Sequence, residues 1–296
     1  MIVVDYNQTA ISNLMAEIGH RKDLSINIGL VRHMIANSLR GYNVKFGKEY
    51  GEMIIACDSF NYWRKKVFPF YKANRKKARE ESGYDWNSIF EALSIVREEI
   101  REFFPYKILY VESAEADDII AIIAKWSQTN DLREIPPFDI KEPKPFLIIS
   151  SDHDFIQLQR YKNAKQYSPL QKKYVTATTT PEKYVLEHTI RGDKGDGIPN
   201  VFSEDDSLVT GQRQKAISQK RLEGWLDDPT TLPHDEEFLA RYKRNKMLVD
   251  FTQIPAEIEN AVINNFTQQP TKNKSKMLNY FINNKMKNML DVIEEF

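Results

Sequence analysis

Apolar residues fall along this chain in two alternating patterns. Short runs with no polar interruption lie at 2–4 (IVV), 53–57 (MIIAC), 107–111 (KILYV) and 146–150 (FLIIS). Each is too short for a helix and reads as a strand buried on both faces. Between them, residues 9–18, 27–40 and 86–104 carry apolar positions at helical spacing, for example Ile28, Val31, Ile35 and Leu39. EADDIIAIIAKW at 115–126 opens a helix with its carboxylates in the first turn, where the helix dipole favours them. Residues 127–145, with Pro136, Pro137, Pro143 and Pro145, are expected to be an exposed loop. Strands alternating with helices predict an α/β fold, a mostly parallel central sheet with helices on both faces. From about residue 183 the strand signal fades. Residues 213–226, 236–250, 254–266 and 274–293 are expected to be helical after a Gly-rich turn, GDKGDGIPN, at 192–200. The predicted organisation is a main α/β domain over 1–182 and a smaller helical subdomain over 183–296.

Composition narrows the class. Of 296 residues, 41% are hydrophobic and 28% charged, enough apolar content for a core. The best apolar run, IIAIIA at 119–124, is far short of the ~18 residues of a membrane span. Asp5 interrupts the stretch where a signal peptide would need apolar residues. A single cysteine, Cys57, excludes an intramolecular disulfide and a cysteine-built zinc site, and is expected to be a small buried residue. A cytoplasmic, monomeric protein with no membrane partner is the expectation.

Net charge is zero, with 42 basic and 42 acidic residues, but the signs are segregated. Residues 64–79, RKKVFPFYKANRKKAR, hold eight basic residues and no acidic one. A basic segment interleaved with aromatics suits phosphate backbone and stacked bases. Pro69 predicts that no continuous helix runs through it. Carboxylates gather elsewhere: Glu115, Asp117 and Asp118; Asp152 and Asp154; Asp193 and Asp196. In open α/β sheets the functional site lies beyond the carboxyl ends of the strands. Asp5, Asp58 and Asp152 each follow an apolar strand, and Glu115 to Asp118 follow the third within a few residues. These positions are therefore expected to converge. Clustered carboxylates raise one another's pKa unless a cation sits among them. Oxygen-only ligands point to Mg²⁺, with Mn²⁺ as a substitute, and two such ions ~4 Å apart can hydrolyse a phosphodiester. Taken singly, a D-x-D pair is a common surface turn and EADD an ordinary helix start; their joint occurrence at strand ends carries the inference.

In this order, Asp5, Asp58, Glu115-Ala-Asp117-Asp118, Ser151-Asp152-x-Asp154-Phe155 and Gly192-Asp193-x-x-Asp196 resemble the 5′-nuclease (flap endonuclease) superfamily. That superfamily includes the 5′-nuclease domain of bacterial DNA polymerase I. YWRKKVFPFYKANRKKAREESGYDW at 62–86, LVRHMIANSL at 30–39 and the terminal IEEF are most similar to its ribonuclease H branch from T-even bacteriophages. The resemblance implies a PIN-like 5′-nuclease fold with a helix–three-turn–helix-like element after residue 196. It implies a Mg²⁺-dependent 5′→3′ exonuclease and flap endonuclease that removes RNA primers in DNA replication. Its substrates would be DNA and RNA–DNA duplexes with 5′ ends or flaps, its partners a single-strand-binding protein and a sliding clamp, and its place the host cytoplasm if the chain is viral. Asp5, Asp58, Asp117 and Asp152 would surround the first Mg²⁺, with Glu115 and Asp118 close by or acting through water; Asp154, Asp193 and Asp196 would hold the second. The segment at about 62–82 would arch over the site. Lys72 and Arg75 would meet the scissile phosphate, Tyr71 would stack on a frayed base, and Arg64, Lys65, Lys76, Lys77 and Arg79 would meet the backbone.

The chain departs from the superfamily after residue 196. FSEDDSLVTGQRQK replaces the usual GIGxKxA, so a K⁺ site there is left open, and Gly197 stands where Asn is usual. Two other classes compete. Asp5-Tyr-Asn7-Gln-Thr9 mimics the opening of a haloacid-dehalogenase-like phosphatase, but Asn7 replaces its general acid/base. A non-catalytic structure-specific DNA-binding protein would lack a carboxylate, and all nine expected positions are filled.

Overall fold

The computed structural model describes residues 1–19, 26–135, 140–270 and 272–296. Strand β1 (Ile2–Asp5) leads into α1 (Tyr6–Ile18) and α2 (Ile28–Tyr50), and then β2 (Met53–Cys57). Next come α3 (Trp63–Val67), α4 (Asn74–Ser82), α5 (Trp86–Phe103), β3 (Lys107–Tyr110) and α6 (Ala116–Asn130). A hairpin, β4 (Leu132–Ile135) and β5 (Ile140–Pro143), precedes β6 (Phe146–Ile149), a 3₁₀ helix (His153–Arg160), β7 (Ala164–Ser168) and β8 (Lys173–Tyr174). The remainder is helical: α7 (Pro181–Arg191), α8 (Ser207–Thr210), α9 (Gln219–Asp227), α10 (Glu236–Val249), α11 (Ala256–Gln268), α12 (Met277–Asn283) and α13 (Lys287–Leu290).

The main sheet has the order β3-β2-β1-β6-β7-β8; all neighbours are parallel except β7 and β8. Side chains alternate between its two faces. Ile2, Val4, Ile55 and Cys57 join α1, α2 and α5 in one core, while Val3, Ile54 and Ala56 join α6 and α11 in the other. This two-sided burial explains the uninterrupted apolar runs. It also leaves the carboxyl ends of β1, β2, β3 and β6 at one edge. No helix among the described residues is long and apolar enough to cross a membrane.

Several expectations need correction. The stretch 127–145 is not simply an exposed loop: α6 continues to Asn130, and β4 pairs antiparallel with β5, tied by Arg133 to Glu142. Pro143 ends the edge strand, where its missing N–H does no harm; Pro136 and Pro137 lie outside the described residues. The helix expected over 27–40 runs to Tyr50, that over 213–226 starts at Gln219, and that over 274–293 is broken, with Lys285 at φ 57°. Strand β7 was hidden by its polar sequence, AKQYS; Gln166 is buried because its amide donates to the carbonyls of Ser150 and Asp152. Residues 183–296 contribute to more than one core. Ile190, Val201, Leu222, Trp225 and Phe238 form their own cluster. In contrast, Val262 and Phe266 of α11 pack on one face of the sheet, and Met277, Phe281 and Phe296 on the other.

Candidate active site

At the carboxyl edge, a cleft of about 800 Å³ is lined by Asp5, Asp58, Asp117 and Asp152 on one side and by Lys65, Lys72, Arg75, Lys76 and Arg79 on the other. The four carboxylates come from the ends of β1 and β2, the first turn of α6 and the turn after β6. Local bonds aim them. Asp5 Oδ1 accepts from Gln8 N, and Ser150 Oγ donates to Asp5 Oδ2. Asp58 accepts from the backbone N–H of Ala116 at 2.7 Å and from Asn7 Nδ2 at 2.8 Å. Asn7, whose only sequence signal is that it breaks a phosphatase motif, thus steadies Asp58.

Burial and mutual repulsion mark this group. Asp5 is pushed up to about 7, by burial first and then by the charges of Asp58 and Asp152. Burial, Asp152 and Asp5 raise Asp117 well above the carboxylate range. Asp154 is pushed up to about 8 by burial, then by Asp152, Asp196 and Asp193; Tyr184 donates to it at 3.0 Å. A set of oxygen donors that repel one another fits a hard divalent cation. Among the described residues no three acidic, histidine or cysteine side chains close into a finished cation cage.

These shifts predict a pH response in the metal-free protein. Asp5 and Asp154 are raised from 3.8 to about 7 and about 8, so the folded chain keeps protons that the unfolded chain releases. Their stabilising share is full below the unfolded value and is lost as pH rises through the folded values. In EDTA, the melting midpoint is expected to fall by roughly 5 °C or more between pH 5.5 and 8. Added Ca²⁺ should raise it more at pH 8 than at pH 5.5. A midpoint flat or rising over that range, measured by calorimetry, would remove the repulsion from the account.

Two of the expected site carboxylates lie close by but do not line the cleft. Glu115 and Asp118 are buried in an ion network beneath the cleft. Arg64 Nη1 donates to Glu115 Oε2 at 2.7 Å, and its Nη2 lies 2.7 Å from Asp118 Oδ1. Asp118 also accepts from Trp63 Nε1 and Glu115 N, closing a capping box at the start of α6. Despite burial, Lys72 and Arg64 hold Glu115 below its usual range. Of the three carboxylates in EADD, only Asp117 lines the cleft. Arg64, expected at the phosphate backbone, is instead buried at 2% exposure, with its Nε donating to the Leu248 carbonyl. Tyr71 is buried, and its hydroxyl donates to Asp196 and Glu115, so it is not free to stack on a base.

The basic segment is two helices, α3 and α4, broken over residues 68–73 around Pro69. Phe68 and Tyr71 pack it against Ile198, Leu248 and Val249. Lys72 Nζ reaches Glu115 Oε1 at 2.5 Å, and Arg75 Nη2 reaches Asp196 Oδ1 at 2.5 Å. Arg79 lies over the Phe90 ring at 4.9 Å. Lys77 points away from the cleft, 78% exposed. Asp196 lies behind the segment, held below its usual range against burial by Lys72 and Arg75. Asp193 Oδ1 accepts from the N–H groups of Gly195 and Asp196. Asp154, Asp193 and Asp196 thus form a second acidic group outside the cleft lining. Beyond it, Glu204 and Asp205 pair with Arg241 and Arg244, and Asn200 ties the turn to Gln214 and Lys215.

A family model for the N-terminal resolvase-like domain of 5′–3′ exonucleases matches residues 14–188, and one for the C-terminal part of T4 RNase H matches residues 179–296. The ribonuclease H of Enterobacteria phage T4 is 34% identical over 273 residues, covering 88% of this chain and 84% of that protein. An exodeoxyribonuclease of Enterobacteria phage T3 is 26% identical over 221 residues, covering 74% of this chain and 61% of that protein. Among solved structures, the T5 D15 protein co-crystallised with metal ions aligns with a TM-score of 0.59 at 19% identity, covering 90% of this chain and 96% of that one. A Lys-to-Ala mutant of the T5 5′-exonuclease aligns with a TM-score of 0.54 at 15% identity, covering 90% and 97%. The two structural likenesses establish the shared fold.

Proposed function

This chain belongs to the 5′–3′ exonuclease family, and from that membership we propose that it is a Mg²⁺-dependent nuclease that cuts phosphodiesters near the 5′ ends of RNA–DNA and DNA duplexes and at 5′ flaps. Its role is RNA primer removal in DNA replication. The observation that carries this is the meeting of Asp5, Asp58, Asp117 and Asp152 across one cleft from Lys72 and Arg75. Asp5, Asp58, Asp117 and Asp152 would hold one Mg²⁺, and Asp154, Asp193 and Asp196 a second. When bound, the ions neutralise the scissile phosphate and acidify the attacking water.

The chain's own residues do the rest. Lys65, Lys76 and Arg79 bind the phosphate backbone entering the cleft. Lys72 and Arg75 exchange their carboxylate partners for the scissile phosphate and stabilise its developing charge. Gln8 and Asn7 keep Asp5 and Asp58 aimed while that exchange occurs.

The test is a 5′-labelled flapped duplex with an RNA tip, incubated with Mg²⁺ or with EDTA. Short labelled products should form with Mg²⁺ only, and binding should weaken steeply with salt. Tight binding without cleavage would favour a DNA-binding protein; neither binding nor cleavage would end the nuclease reading.

A further inference from the structure

We propose that Gly197 is a positioning residue: it lets the loop at 193–197 dock against the basic segment and thereby sets Lys72 and Arg75 at the cleft. The inference rests on Lys72 and Arg75 being the phosphate-binding pair of the proposed function.

The docking is close, and three of its hydrogen bonds end on backbone carbonyls of the loop. The Lys72 N–H donates to the Asp196 carbonyl at 2.7 Å. Asn74 Nδ2 donates to the Lys194 carbonyl at 2.7 Å, and Arg75 Nε to the Gly195 carbonyl at 3.2 Å. Tyr71 and Arg75 reach the Asp196 side chain at 2.8 and 2.5 Å. At the centre of this contact Gly197 has φ 71°, and a Cβ there would stand 3.0 Å from the Phe70 carbonyl oxygen and 3.3 Å from Lys72 N. Both are backbone atoms, which cannot swing aside as a side chain can. A side chain at 197 is therefore strained at this positive φ and presses loop and segment apart by a few tenths of an ångström.

Lys72 has most to lose. It sits at φ 56°, a left-handed conformation that non-glycine residues hold only where their surroundings demand it. The bond from its N–H to Asp196 supplies that demand. Without it, the backbone at 72 relaxes and Nζ leaves its place between Glu115 Oε1, at 2.5 Å, and Asp196 Oδ2, at 3.6 Å. An ordinary turn glycine would serve only its own loop; the two roles separate in a double-mutant cycle.

The experiment compares the wild type, Gly197→Ala, Lys72→Ala and the double variant. Single-turnover cleavage of a 5′-labelled duplex is started with Mg²⁺, and duplex binding is measured in Ca²⁺ by anisotropy. Gly197→Ala should slow cleavage about tenfold or more while binding stays within about twofold. Lys72→Ala should then cost far less in the Gly197→Ala background than in the wild type. Asn74→Ala, which removes a docking bond without straining residue 197, should couple to Lys72→Ala in the same sense; it decides the matter if Gly197→Ala does not fold. Wild-type cleavage by Gly197→Ala, or independent multiplication of the two effects, overturns the inference and leaves the proposed function standing. A Lys72→Ala variant that cleaves normally overturns the phosphate-binding pair itself, and the inference with it.

Discussion

Asp5→Asn is expected to lose cleavage by at least about a thousandfold, roughly 4 kcal/mol of barrier, while binding duplex almost as well as the wild type. Asp5 ends the central strand, between β2 and β6, and is 7% exposed. Asparagine keeps its size and its acceptor for the Gln8 N–H but removes a charge that a divalent cation needs. On the proposed reading, nucleic-acid affinity comes from the basic wall of the cleft, which the substitution leaves intact. The same substitution should raise the melting midpoint of the metal-free protein at pH 8, because it removes the buried charge whose desolvation, and then repulsion by Asp58 and Asp152, lift Asp5 to about 7. Loss of activity with gain of stability separates a cation-holding carboxylate from a structural one. Single-turnover kinetics and calorimetry on one preparation decide it; cleavage above a tenth of the wild-type rate, or a lower midpoint, contradicts the assignment.

Arg64→Ala is expected to destabilise the fold by about 3–5 kcal/mol, since it strands two buried carboxylates. Arg64 serves Glu115, Asp118 and the Leu248 carbonyl together, joining the base of the basic segment to α6 and α10. Lysine keeps the charge but cannot span three partners, so Arg64→Lys should fall between. Urea unfolding measures both. A loss under about 1 kcal/mol for Arg64→Ala would mean that the network is dispensable.

These two residues also mark what the sequence discloses. Asp5, Asp58 and Asp152 are legible because each directly follows an apolar run, and such runs stand parallel with their ends at one edge. Within Glu115 to Asp118 sequence order does not choose. The helical turn chooses, sending Asp117 to the cleft and Asp118 back to cap the helix. The E-x-x-D spacing is a capping-box signal that could have separated them. Arg64 is illegible for another reason. Eight basic residues in one run look alike, and only tertiary contact with Leu248 and Asp118 singles out the buried one. Strand β7 escapes because its buried glutamine reads as solvent-facing until its carbonyl partners are known. Gly197 stands out by replacement, but its close approach to Phe70 and Lys72 exists only in the fold.

The central claim, that these carboxylates hold divalent cations, is tested most directly by titrating the metal-free protein with Mn²⁺ and reading free ion by electron paramagnetic resonance. Two ions should bind the wild type. Asp154→Asn should keep one, and Asp5→Asn should lose the site in the cleft. A wild type that binds none, or variants that bind as it does, would contradict the account.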